Sequence, residues 1–143
     1  MKTNLYDKDY YLWLEETIQL LQEGRLTDLD IFNLIEEIKD MGRSEKNALE
    51  SNLIVLLMHL LKWKYQPEEQ SGSWRGSIRE HRRRILKAFK NSPSLKRYFE
   101  VVFDESYQEA RKQAADETEL SLNTFPKNCP FKIEEILDPE YLP

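Results

Sequence analysis

Apolar residues recur along this chain at three- and four-residue steps, the period of a helix with one buried stripe. Tyr11, Leu14, Ile18 and Leu21 make the first such stripe, opened by Asp7 or Asp9 as cap and closed by Gly24. Thr27, Asp28 and Asp30 offer caps for a second helix with Ile31, Leu34, Ile35, Ile38 and Met41 along one face; Gly42 marks its end or a kink. A third segment from Arg43 or Ser44 carries Leu49, Leu53, Leu56, Leu60 and Trp63 on one side, and Ile54, Leu57 and Leu61 over much of the rest. A helix apolar nearly all round belongs at the centre of a core. Whether the second and third segments are one rod or two is left open by the pattern.

Gln66-Pro67 stops the third segment, and the polar stretch to Gly72 reads as a loop. Ser71 or Ser73 then caps a fourth helix whose Trp74, Ile78, His81, Ile85 and Ala88 or Phe89 point inward. Ser92-Pro93 predicts the start of a fifth, over about residues 93–119, with Leu95, Phe99, Val102, Ala110 and Ala114 inward and Tyr98 and Tyr107 beside them. Prolines at 126, 130, 139 and 143 break the remainder of the chain, leaving only residues 131–137 for a small helix. The expectation is an all-α bundle of about five helices with a short irregular C-terminal tail containing one small helix, forming a single domain over residues 1–143.

Composition agrees with that class. Forty per cent apolar residues is too many for a disordered chain, and four glycines are too few for an all-β fold. The longest apolar run, Leu53 to Leu61, falls far short of the roughly 18 residues of a membrane span, and the N-terminal residues lack the pattern of a signal peptide. With one cysteine, Cys129, no internal disulfide forms, and the expected location is cytoplasmic.

Charge changes the picture more. The net charge is −5, but residues 62–97 carry eleven basic and three acidic side chains between strongly acidic flanks. The basic helix over residues 75–90 presents Arg75, Arg79, Arg82, Arg83 and Lys87 as candidate contacts for nucleic acid or phosphate. Against that stand the acidity of the whole and the absence of aromatics among the arginines, which favour neutralisation by neighbouring acidic helices.

Two histidines supply the remaining chemistry. His59 is the only polar residue in its apolar run and His81 lies in the inner stripe of the fourth helix, so both can point into one core. With Glu37, Glu50 and Glu117 they make a candidate buried polar or metal cluster, the basis of an alternative reading as a metal-dependent enzyme. No Glu-x-x-His pair is present, and a histidine bonded to a neighbouring side chain or carbonyl is the commoner arrangement. Cys129, between Asn128 and Pro130, reads as a packed thiol. No catalytic residue is assigned, no motif calls for a cofactor, and the metal question stays open.

In order, Glu37-Ile38, Met41-Gly42, Leu56-Leu57, the run His59 to Trp63, Gln66-Pro67, Ser73-Trp74 and Ile78 form a distinctive series. It continues through Arg82, Ile85, Ser92-Pro93-Ser94-Leu95, Tyr107, Ala110, Glu117-Thr118, Phe125-Pro126, Cys129-Pro130, Ile136-Leu137 and Pro143. This series resembles the domain of unknown function 29 family, abundant in cyanobacteria. The resemblance implies an all-helical fold and no particular activity. The function expected is that of a helical protein-interaction or self-associating module without catalysis, with a protein partner or a homo-oligomer, nucleic acid as the alternative partner, and no membrane.

Overall fold

The computed structural model describes residues 4–143. Six α-helices follow one another: α1 Leu5–Lys8, α2 Tyr10–Gln22, α3 Ile31–Tyr65, α4 Gly72–Asn91, α5 Leu95–Thr118 and α6 Ile133–Leu137. Three single-turn 3-10 helices link them, and there is no strand among the described residues. The protein is all-α. None of these helices is long and apolar enough to cross a membrane.

Local chemistry explains the boundaries. The Asp9 carboxylate accepts the Leu12 amide at 3.1 Å and starts α2. At its end Gly24 takes φ +71°, the Arg25 amide reaches the Leu20 carbonyl at 2.9 Å, and the Gly24 amide reaches that of Leu21 at 3.1 Å. This paired closure needs a left-handed residue, which glycine adopts without strain. Asp30 caps α3 by accepting the Asn33 amide, and Ser71 caps α4 by accepting the Trp74 amide. Ser92-Pro93 behaves differently from its predicted form: the Ser92 carbonyl, not its hydroxyl, takes the Leu95 amide, and α5 begins at Leu95.

One question left open by the sequence is answered in α3, which runs unbroken through Gly42 for 35 residues. A methyl group at Gly42 would meet nothing within 4 Å, so this glycine neither ends the helix nor lets another backbone approach.

Backbone contacts divide the chain into two compact units, one ending at Ser44 and the other beginning at Glu45. In the C-terminal unit the second half of α3 is the hub. Leu53, Leu56, Leu57, Leu60 and Leu61 are fully buried there, packed with Ile78 and Ile85 of α4, with Phe99, Tyr107 and Ala110 of α5, and with Ile136 of α6. The expected all-round apolar helix is thus the core. Ala110 and Ala114 are buried without exposure, as expected of small residues at a close helix contact. The irregular stretch after α5 is pinned to it: the Tyr107 hydroxyl donates to the Pro126 carbonyl and Arg111 to that of Phe125 at 2.9 Å, beside a fully buried Phe125 ring.

The N-terminal unit is built otherwise. Its buried side chains among the described residues are Trp13, Thr17 and Leu29. Tyr6 packs edge-on against Trp13, and Tyr6 and Tyr10 both donate to the Glu37 carboxylate. The stripe expected to face inward does the reverse. Tyr11 is 70% exposed, Ile18 54%, Ile38 61% and Met41 66%, while the Trp13 and Thr17 side of α2 is the covered one.

Candidate functional site

Two places in the C-terminal unit gather chemistry. The first surrounds Lys62, on the hub helix between Leu61 and Trp63, whose side chain is 7% exposed. An unpaired ammonium at such a place is costly, and it is satisfied twice. Its Nζ lies 3.1 Å from the Glu117 carboxylate of α5 and 4.6 Å from the ring centroid of Trp74 at the start of α4. One side chain therefore ties α3, α4 and α5 together.

His59 sits one turn before Lys62 on the same helix. Its Nδ1 is buried without a hydrogen-bond partner among the described residues. Burial, reinforced by the positive charge of Lys62 and His81 and opposed by Glu117, holds its pKa down at about 4. The imidazole is accordingly neutral at physiological pH. His81 uses the Ser77 carbonyl, which accepts from its Nδ1 at 2.8 Å, with the Ser77 hydroxyl at 3.2 Å. A carbonyl only accepts, so in the neutral ring Nδ1 carries the proton.

The carboxylates proposed from sequence to join these histidines divide. Glu117 pairs with Lys62 and acts on His59 only through its charge. Glu50 accepts from the Tyr98 hydroxyl at 3.2 Å, and Glu37 serves Tyr6 and Tyr10 in the N-terminal unit. Among the described residues no group of three or more His, Cys, Asp or Glu side chains is placed to hold a metal ion. Cys129 is half-buried, its thiol pKa pushed up by burial and its Sγ 3.5 Å from the Phe131 carbonyl, the setting of a packed rather than an ionised thiol.

The second place is a groove of about 870 Å³ along α4. Arg75, Arg79, Arg83, Lys87 and Lys90 line it together with Ile78 and Leu86, and the C-terminal residues Pro139, Glu140 and Leu142 form its other side. Four of these cations recur at four-residue steps, each about 6 Å further along the helix axis. Arg83 is held bidentately by Glu80, at 2.7 and 3.0 Å, and Arg84 by the same carboxylate at 3.1 Å. Arg79, Lys87 and Lys90 have no carboxylate within 4 Å among the described residues. Arg75 stands 5.6 Å from the Trp63 ring.

Arg82, which also borders the groove, has a different office. It is 3% exposed, and its guanidinium donates to the carbonyls of Ile136 at 2.7 Å, Tyr141 at 3.0 Å and Pro139 at 3.4 Å. These acceptors lie at the end of α6 and just beyond it, so Arg82 fastens the tail to α4, and its donors are taken up there rather than offered to an outside anion.

A family model described as Domain of unknown function DUF29 matches residues 5–142. The chain belongs to that family. No curated protein and no solved structure gives a significant match. The DUF29 match covers both units, with the acidic helices and the basic groove alike.

Pattern reading from sequence singled out His59, His81 and Glu117 but passed over Lys62, although a lysine between Leu61 and Trp63, directly after an apolar run, is itself a signal of a buried charge in need of a partner. Nothing in the pattern announces that Leu142 and Pro139 would complete the groove, because that depends on the tail returning to α4 across a long stretch of intervening chain.

Proposed function

We propose that this DUF29 chain is a helical protein-interaction module without catalysis of its own, acting in the cytoplasm and docking a partner through its N-terminal unit. One observation carries the reading. Eleven large apolar side chains between Tyr10 and Met41 are exposed, in a unit whose own buried set is three residues. Large apolar side chains exposed in such number on one folded unit mark a contact surface. The two stripes have helical spacing, so the partner they suit is another amphipathic helix laid against them. The chemistry elsewhere is in keeping with the same reading: burial holds the His59 imidazole neutral and pushes the Cys129 thiol toward its protonated form.

Affinity capture from a native extract, comparing the unmodified chain with an Ile35→Asp/Ile38→Asp variant of unchanged circular dichroism, tests this. Retention of a protein in stoichiometric amount by the first and its loss from the second is the expected result. Identical retained sets, together with a monomeric mass for both chains, would sink the proposal.

A further inference from the structure

The basic groove is a second binding surface, and its character selects an occupant. Besides Arg82, its wall holds five cations against one carboxylate, Glu140, and its floor is apolar, with Leu142 38% exposed and Leu86 half-buried. Like charges at four-residue steps repel, and four of these cations, all but Arg83, have no carboxylate within 4 Å to relieve them among the described residues. The complement is an acidic helix with an apolar face. The N-terminal unit is one: residues 4–44 hold ten acidic and four basic side chains, and they carry the exposed stripes.

We infer that the groove along α4 receives the N-terminal helices of a second copy of this chain, so that copies associate face to groove. This rests on the interaction reading and names its partner. Pairing two N-terminal faces with each other would also cover the apolar stripes. It would, however, set two surfaces of net charge −6 against one another, whereas face to groove joins opposite signs. Nucleic acid fits less well: no aromatic residue lines the groove to stack a base, Glu80 occupies Arg83, and Arg82 is committed to the tail. A face-to-groove contact is heterologous, and a pair of copies keeps one free face and one free groove between them unless a second, reciprocal contact closes it.

Complementation between two full-length variants tests this. One variant carries Arg79→Glu and Lys87→Glu in the groove; the other carries Ile35→Ser and Ile38→Ser in the face. All four side chains are exposed, so both variants keep the native circular dichroism; Arg79→Gln/Lys87→Gln replaces the first variant should it not. Sedimentation velocity is expected to show concentration-dependent association of the unmodified chain that weakens with salt, and a loss of about tenfold or more in affinity for each variant alone. An equimolar mixture should recover a one-to-one pair, since the groove variant brings an intact face and the face variant an intact groove. A monomeric unmodified chain overturns this inference while leaving the capture of a different protein to decide the interaction reading. Undiminished association of the groove variant overturns it as well, by placing the self-contact elsewhere. Binding of a single-stranded oligonucleotide that the groove variant loses, with self-association unaltered, assigns the groove to phosphate instead.

Discussion

Lys62 and Glu117 form a pair whose halves are not equivalent. The ammonium is buried and the carboxylate half-exposed, with side-chain exposures of 7% and 49%. Removing Glu117 leaves a buried cation with only the Trp74 ring; removing the lysine leaves a carboxylate that water solvates. Glu117→Ala should therefore cost about 1–2 kcal/mol, while Lys62→Met, which keeps the packing, should change stability by less than about 1 kcal/mol in either direction. Urea unfolding of the two variants decides between this asymmetry and a simple additive ion pair. His59 predicts a pH dependence with a definite sign. Its pKa falls from 6.5 to about 4 in the fold, so between those values the unfolded chain binds more protons. Stability is fully present above about pH 6.5 and declines as pH drops toward 4, and thermal melts of His59→Gln against the unmodified chain should show that part of the acid slope removed. At the end of α5, Glu119 adopts φ +59°. Glu119→Gly should stabilise by about 0.5–1 kcal/mol by relieving a left-handed side chain, a gain visible as a raised melting temperature.

At the scale of the element, α3 offers a cleaner experiment than any loop. Gly42 lies in mid-helix with open space around it, so Gly42→Ala should stabilise by up to about 1 kcal/mol, whereas Gly42→Pro should cost about 3 kcal/mol or more. Denaturant titration reads both. The same residue shows where sequence informs and where it leaves a question open. Period and caps placed every long helix to within a few residues, because Asp9, Gly24, Ser71 and Pro67 act locally. Gly42 left one rod or two open because a helix tolerates glycine when flanking turns hold, a balance that no single residue expresses. The stripes Tyr11-Ile18 and Ile31-Ile38 were visible as stripes, yet periodicity reports that a face is apolar and not whether anything covers it. Of the candidate site, the cations of α4 were legible one by one. The separation of Arg82 from its neighbours was not, since its partners are backbone carbonyls that any sequence supplies.

On the whole molecule, burial is distributed unevenly. The C-terminal unit contains the leucine-lined hub, and the N-terminal unit is covered mainly at Trp13, Thr17 and Leu29. Amide hydrogen exchange should follow that division: residues 49–61 of α3 should be the slowest to exchange, and α2 should exchange faster unless a partner is bound. Protection of α2 on raising the protein concentration would locate the self-contact, whereas uniform exchange across both units would contradict the uneven burial.

Arg82 draws its three acceptors, Ile136, Pro139 and Tyr141, from the end of the chain. To α4 those residues are in effect a tethered ligand, favoured by the high local concentration that a covalent link imposes. Cutting that link should leave a guanidinium that a short synthetic peptide of residues 132–143, supplied in trans, can satisfy again.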